Sequence, residues 1–333
     1  MKHRPKHIVE YLAVRAVAGL IQHLPYRVAL GLGWGIAWLI FYVLRYRVTA
    51  AKARIREVFG THYSNREVNR IAWQSWRDFC FTAVEMVRIP VSSPAWIRSV
   101  VDVGDSDRKI IAHVQTGQGA IIAAPHMGSW EMATLTSLAC GVRLFTVTGN
   151  QKNQLVEEYI HRMRMGTGFE TLQRSASVLK GIIRKIREGK VMALLPDVRS
   201  RTPGVTIQFL GKPANIAGGM GLIAKMTGVP VFPCVITRQG WTRHRYRIMD
   251  PVWPDANLEK TEDWQRITQE VFDVFDRAIR EKPEQWFWFN KRWVLDPLES
   301  KTDAGHQTPR DAGQAPDLSR VARDDGTEKI GGN

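Results

Sequence analysis

AIIAAPHMGSWEMA, residues 120–133, is the stretch on which the fold turns. Its first half is a short apolar run that stops at Pro125, a residue that turns the chain before it away from helix. Gly128 then permits a tight bend, and Ser129 is a good helix N-cap ahead of a predicted helix from Ser129 to Leu138. The reading is strand, turn, helix, and the same texture recurs downstream. RLFTVTG (143–149) precedes a helix near 153–165, and a helix near 176–188 leads into KVMALLP (190–196). VTIQFLG (205–211) leads to a helix near 217–227, then come VPVFPCVIT (229–237), RYRIMD (245–250) and a last helix near 262–281. Strands alternating with helices imply an α/β domain whose central sheet is mostly parallel and flanked by helices.

Two of these strands end alike: AIIAAP runs into His126, and VMALLP runs into Asp197. In a parallel sheet, ligands bind beyond the carboxyl ends of the strands, so two titratable residues delivered there mark a site. Glu131 follows five positions after His126. On one helix such residues point about 140° apart and cannot meet. They can meet if His126 lies on the turn and Glu131 on the first helical turn, where the helix dipole favours an ionised carboxylate. The expectation is that Glu131 orients the imidazole, fixing its tautomer and sharpening the other nitrogen as a base. General-base help of this kind is worth roughly 10²–10⁴-fold. The plainer alternative is a partly buried histidine satisfied by a nearby acid.

The rest of the chain bounds what such a site serves. Among 333 residues, 47 Lys and Arg outnumber 32 Asp and Glu, a formal charge of +15 that attracts anionic partners. Cys80, Cys140 and Cys234 form no CxxC pair, so neither a disulfide framework nor a zinc site is expected, and no metal ligands are assigned. Val28 to Leu44 contains no charge; as a helix it extends about 25 Å, slightly short of a ~30 Å hydrocarbon core. YLAVRAVAGLIQHL ahead of it is a second, more amphipathic helix, and basic residues are balanced on both sides of the apolar run. That symmetry leaves orientation open and suits a helix lying in one leaflet. Residues 64–90 carry Ile71, Trp73, Trp76, Phe79, Ala83 and Val87 near the helical period, a core-facing helix. Three parts are expected: residues 1–60, a membrane-anchoring helical segment; 61–299, the α/β domain; and 300–333, a disordered tail without aromatics.

Five blocks, in order, resemble the late lipid A acyltransferase family, the lauroyl and myristoyl transferases of Gram-negative bacteria. PHMGSWEMA is similar to its HxxxxE motif, and Asn153, Arg164 and Gly168 in NQLVEEYIHRMRMGTG to its N, R and G block. LLPDVRS resembles its strand ending in Asp, IQFLGKPANIAGG (with Gly211) its FFG-x-PA block, and KPEQWFWFNKRW its closing block, where Arg292 and Trp293 stand. The chain departs from the family at Val198, usually Gln, at the residues after GKPA, and at Asn290, usually His.

The resemblance implies a glycerolipid-acyltransferase-like fold and transfer of an acyl chain from an acyl carrier protein or coenzyme A thioester to a hydroxyl of an anionic lipid A-type glycolipid. It makes His126 the base and Glu131 its partner, and implies Arg164, Asp197, Asn153, Gly211 and Arg292 as substrate-binding residues. Arg164 would hold acceptor phosphate or the developing oxyanion, and Asp197 would hold that arginine or the acceptor. It implies no cofactor, and a place at the cell inner membrane with the catalytic domain facing the cytoplasm. An ornithine lipid or a mannosylated phosphoinositide is the alternative acceptor. A serine hydrolase at Ser129 is disfavoured because MGSWE is not GxSxG. A non-enzymatic, basic, Trp-rich membrane-binding protein is a remoter alternative, and a nucleic-acid-binding one is disfavoured because the basic residues form no stripe along one helix.

Overall fold

The computed structural model describes residues 4–149, 153–175, 177–200 and 202–297. The expected disordered tail, 300–333, lies outside the described residues. The described residues begin with four α-helices: α1 (Pro5–His23), α2 (Tyr26–Trp38), α3 (Val48–Phe59) and α4 (Asn65–Val87). A π-helical turn, Leu39–Leu44, extends α2, and Arg45 and Arg47 then take left-handed backbone angles that turn the chain into α3. A reciprocal capping box starts α4: the Glu67 N–H donates to Ser64 Oγ, and the Ser64 N–H to the Glu67 carboxylate.

Next come α5 (Pro94–Val100), β1 (Val101–Asp102), α6 (Arg108–Gln115), β2 (Ala120–Ala123), α7 (Trp130–Ala139) and β3 (Leu144–Thr148). They are followed by α8 (Gln154–Met165), β4 (Glu170–Gln173), α9 (Val178–Arg187) and β5 (Val191–Leu194). The chain continues through β6 (Val205–Phe209), β7 (Lys212–Ile216), α10 (Gly219–Thr227), β8 (Val231–Gln239), β9 (Arg243–Ile248) and α11 (Lys260–Glu281). Among the described residues, seven strands make one sheet in the order β1-β9-β8-β2-β5-β3-β4, parallel throughout except where β8 meets β9. The expected mostly parallel sheet flanked by helices is what the chain forms.

VTIQFLG departs from the βα reading. Instead of joining the sheet, β6 pairs antiparallel with β7 as a separate hairpin. Its two-residue turn, Leu210 and Gly211, has positive φ at both positions, the primed-turn geometry that matches strand twist. Two apolar layers cover the sheet. One joins α3, α4, α9, α10 and α11 to the hairpin and the closing aromatic segment. The other joins α5, α6 and α7 on the opposite face.

The first 60 residues are not peripheral to this core. One face of α2 (Ala29, Leu30, Gly33, Ala37) is buried, and α2 with Ile21 of α1 packs on Phe81 and Val84 of α4. A side chain at Gly33 would come within 3.0 Å of Val84, so glycine sets how closely α2 and α4 approach. The opposite face, with Val28, Leu32, Trp38 and Val43, is exposed. The run Tyr26–Leu44 is long and apolar enough to cross a membrane by length and composition, and the helix is consistent with membrane association.

Candidate active site

Strand β2 pairs with β5 in parallel, Ala123 opposite Leu194. His126 and Asp197 each stand three residues beyond those strand ends, so the register carries them side by side. Asp197 is almost fully buried and takes three hydrogen bonds. His126 Nδ1 lies 2.7 Å from Oδ1, while the His126 backbone N–H and the Trp286 indole N–H both donate to Oδ2 at 2.8 Å. Burial works to raise the Asp197 pKa, but the His126 imidazole and these three bonds outweigh it and hold the carboxyl below its ordinary value. An ionised Asp197 fixes Nδ1–H on the ring and leaves Nε2 as the nitrogen with a free lone pair.

Glu131 does not hold His126. It sits on the first turn of α7, and its carboxylate accepts from Arg164 of α8 at 3.0 Å. The expected His126–Glu131 pairing is therefore replaced by two pairs, His126 with Asp197 and Glu131 with Arg164. The reason is geometric. The neighbouring parallel strand delivers a carboxylate to Nδ1 and to the backbone of the same residue, while the turn at Gly128 carries Glu131 away into its helix. Gly128 is indispensable to that turn: its φ is +58°, and a Cβ there would lie 2.1 Å from the Ile236 carbonyl oxygen.

The turn is clamped from behind by the closing segment. The Gly128 N–H donates to the Gln285 carbonyl at 3.0 Å, and the Phe287 N–H donates to the His126 carbonyl at 3.1 Å. Thr82 of α4 donates to the Gly128 carbonyl at 3.0 Å. The His126 ring meets Trp130 edge-on, with Phe287 beside it. Under this layer lies a buried charge cluster. Arg238 grips both oxygens of Glu85 at 2.7 Å, and Ser129 Oγ and Tyr26 Oη donate to the same carboxylate at 2.6 and 2.5 Å. Burial opposes ionisation of Glu85, yet Arg238 and His244 hold its pKa well below the usual carboxylate range.

His126, Glu131 and Arg164 open onto one cavity of about 650 Å³, a size within the ordinary range for small-molecule sites. Its apolar depth includes Ile122, Leu144, Phe169, Met192 and Ile223, and its polar wall also holds Arg174, Arg199 and Arg292. Arg292 is thus at the site, as is Asn290, the residue that replaces the family's histidine.

The other two residues implied by the resemblance stand elsewhere. Asn153 caps α8 through Leu155 N–H at 3.1 Å and donates to the His7 carbonyl and the Glu10 carboxylate, tying α1 to α8. Gly211 forms the hairpin turn away from the cavity, where a left-handed φ of +83° calls for glycine. Sequence reasoning missed Trp286 and Gln285. Their signal is present in the quoted KPEQWFWFNKRW, whose aromatic and amide side chains are dense for a loop. No group of three or more His, Cys, Asp or Glu suited to a metal is found among the described residues.

Comparison of the sequence with known proteins points to an enzyme class. The chain is similar to phosphatidylinositol mannoside acyltransferase of Mycobacterium tuberculosis strain CDC 1551 / Oshkosh, 25% identical over 224 residues, covering 65% of this chain and 68% of that one. The protein of the same name from Mycolicibacterium smegmatis is 24% identical over 217 residues, covering 64% and 68%. Residues 2–294 match the family model described as bacterial lipid A biosynthesis acyltransferase. A match over nearly the whole chain, through both strand ends and the closing segment that clamps them, means that the chain belongs to the bacterial lipid A biosynthesis acyltransferase family and is an acyltransferase.

Proposed function

We propose that the protein transfers a fatty acyl chain from an acyl carrier protein or coenzyme A thioester to a hydroxyl of an anionic membrane glycolipid, with His126 as general base held by Asp197. The observation that carries this reading is the 2.7 Å contact between His126 Nδ1 and Asp197, in a cavity with an apolar depth and an arginine-bearing wall. Nε2 takes the proton of the acceptor alcohol as its oxygen attacks the thioester carbonyl. The carbon–oxygen bond forms, the tetrahedral intermediate collapses with loss of the carbon–sulfur bond, and the imidazolium returns the proton to the departing thiolate. The products are an ester and a free thiol. Asp197 stabilises the imidazolium through that exchange without itself taking the proton.

Arg164 supplies positive charge at the cavity wall. Glu131 holds one of its terminal nitrogens, while its Nε is buried without a partner among the described residues. A guanidinium so fixed suits an oxyanion or an acceptor phosphate. The hydrocarbon of the donor is assigned to the apolar depth beside Phe169 and Leu144. Seating in a membrane is supported by the exposed apolar residues of α1 and α2, among them Leu12, Val17, Leu32 and Trp38, and the cytoplasmic face of the inner membrane is read from the family match. Because the other face of α2 is packed on α4, an in-plane helix fits better than a spanning one.

The acceptor is read as a lipid A-type glycolipid from the family match. The similarity to phosphatidylinositol mannoside acyltransferases favours a mannosylated phosphoinositide as the second reading. Mass spectrometry of the producing strain's glycolipids, with and without the gene, separates them: the species that loses one acyl chain is the acceptor. His126→Ala expressed in the deletion strain should leave that chain missing. Acylation at the normal rate by this variant overturns the mechanism.

A further inference from the structure

A second cavity, about 610 Å³, lies apart from the site, bounded by α1, α5, α7 and α8. Its volume is that of a ligand pocket and its wall is largely apolar, with Ile97, Leu135, Leu138 and Met163 facing the space. At the rim stand two exposed arginines, Arg15 and Arg162. Among the described residues, Arg162 makes an exposed helical pairing to Glu158 at 3.2 Å, and Arg15 reaches the Tyr11 hydroxyl at 3.4 Å. An apolar interior under a cationic rim matches a hydrocarbon chain with an anionic head.

The position of α1 identifies the source of such a ligand. Ile8, Leu12 and Arg15 fall on one helical face by their spacing, and Ile8 and Leu12 are exposed. The face that would meet lipid therefore runs onto the rim of the cavity. Asn153 and the Tyr11–Tyr159 ring contact hold α1 against α8 there.

We propose that this cavity takes one acyl chain of an anionic membrane phospholipid, whose head group lies on Arg15 and Arg162, as a bound lipid distinct from both substrates. Leu135 is one turn beyond Glu131 on α7, and Met163 adjoins Arg164 on α8. A chain lodged between the two helices sets the spacing of the Glu131–Arg164 pair from behind. The membrane origin of the lipid rests on the seating proposed above; the binding itself does not depend on the acyl-transfer reading.

The test is native mass spectrometry of the full chain, delipidated and then equilibrated with vesicles of dioleoylphosphatidylglycerol or dioleoylphosphatidylcholine. The wild-type protein is expected to retain phosphatidylglycerol in preference to phosphatidylcholine. Arg15→Ala and Arg162→Ala should each reduce that preference about fivefold, from the roughly 1 kcal/mol that a basic side chain gains near anionic lipid. Ala139→Trp, filling the cavity from a half-buried position, should remove one bound lipid whatever its head group. If Ala139→Trp does not fold, the exposed variant Arg15→Glu, which reverses the rim charge, should abolish the preference for phosphatidylglycerol. Equal retention of both lipids by the wild-type protein, or unaltered phosphatidylglycerol binding in the rim variants, overturns the proposal. So does equal occupancy by free oleate, which would make the ligand a fatty acid. His126→Ala should keep the lipid while losing transfer, so failure of the two readings is told apart.

Discussion

Asp197→Asn is the sharpest probe of the site. The carboxylate uses Oδ2 for two N–H donors, the His126 backbone and the Trp286 indole, and Oδ1 for His126 Nδ1. An amide has one acceptor oxygen. Satisfying two fixed donors keeps that oxygen at the Oδ2 position and turns the NH₂ toward Nδ1. The imidazole must then accept at Nδ1 and carry its proton on Nε2, the tautomer that cannot act as base toward the cavity.

The size of the effect follows from that inversion. The same carboxylate-to-amide change in a Ser-His-Asp triad lowers kcat by about 10⁴, equivalent to about 5.5 kcal/mol of barrier. A loss of 10³–10⁴-fold in kcat is expected here on the same ground. KM should barely move, because Asp197 is buried behind the histidine. Thiol release from an acyl-coenzyme A donor in the presence of acceptor lipid measures both parameters. Circular dichroism checks that the variant, which keeps two of its three hydrogen bonds unchanged and reverses the direction of the third, remains folded. If Asp197→Asn retains activity within tenfold of wild type while His126→Ala is inactive, the dyad is not the catalytic unit. A tautomer-type loss from Glu131→Gln instead would return the orienting role to Glu131.

Three further outcomes are expected. Glu131→Gln and Arg164→Gln should each lower kcat/KM, and the double variant should be less impaired than their sum, with a coupling energy of about 1–3 kcal/mol in a double-mutant cycle; additive losses would mean that the 3.0 Å pair is idle. Gly128→Ala should cost more than about 2 kcal/mol of stability in urea unfolding, since it combines a left-handed φ with a contact on the Ile236 carbonyl. A midpoint equal to wild type would refute this account of the turn. His244 is buried beside Glu85, Arg238 and Tyr26, and burial outweighs the attraction of Glu85 to hold its pKa below the ordinary value. The unfolded ring takes up a proton near pH 6.5 and the native ring does not. Stability should therefore fall as pH drops below about 6.5, by at most ~1.4 kcal/mol per unit, until the lower native pKa is reached. Urea midpoints between pH 7.5 and 5.5 read this slope, and His244→Gln should flatten it.

How much of this was visible in the sequence depends on whether the governing contacts are local. The α/β alternation and α4, with its Ser64 start, are local patterns of period and cap, and the structure has them. The strand-end positions of His126 and Asp197 are local too. What no local pattern contains is strand order. Two strands, β3 and β4, intervene in the chain between β2 and β5, yet β5 lies directly beside β2. Only that adjacency makes Asp197 the partner of His126. Without it, the nearest carboxylate in sequence, Glu131, is the natural choice, and it is the wrong one for the imidazole. The hairpin of β6 and β7 escaped for a related reason: a strand looks the same whether it joins the main sheet or turns back on itself. Only the Leu210–Gly211 turn betrays it, and leucine is an unusual residue at positive φ.

The contacts of α2 change what kind of attachment the N-terminal segment provides. A detachable anchor would touch the enzyme through little but its linker. Here Tyr26, the first residue of α2, donates to Glu85, and Glu85 in turn accepts from Ser129, the N-cap of the helix that carries Glu131. Arg54 of α3 donates to the Trp288 and Asn290 carbonyls of the closing segment, whose Trp286 also holds Asp197. The helices that present apolar surface outward are thus hydrogen-bonded inward to both sides of the His126 turn. Removing residues 1–60 would uncover Phe81 and Val84 and deprive the buried Glu85 of a donor, losses that each belong to the strongly destabilising class. A truncated α/β domain is therefore expected to fail in folding before it fails in membrane binding. The physical arrangement is one body in which the helices with exposed apolar faces and the candidate site share a core.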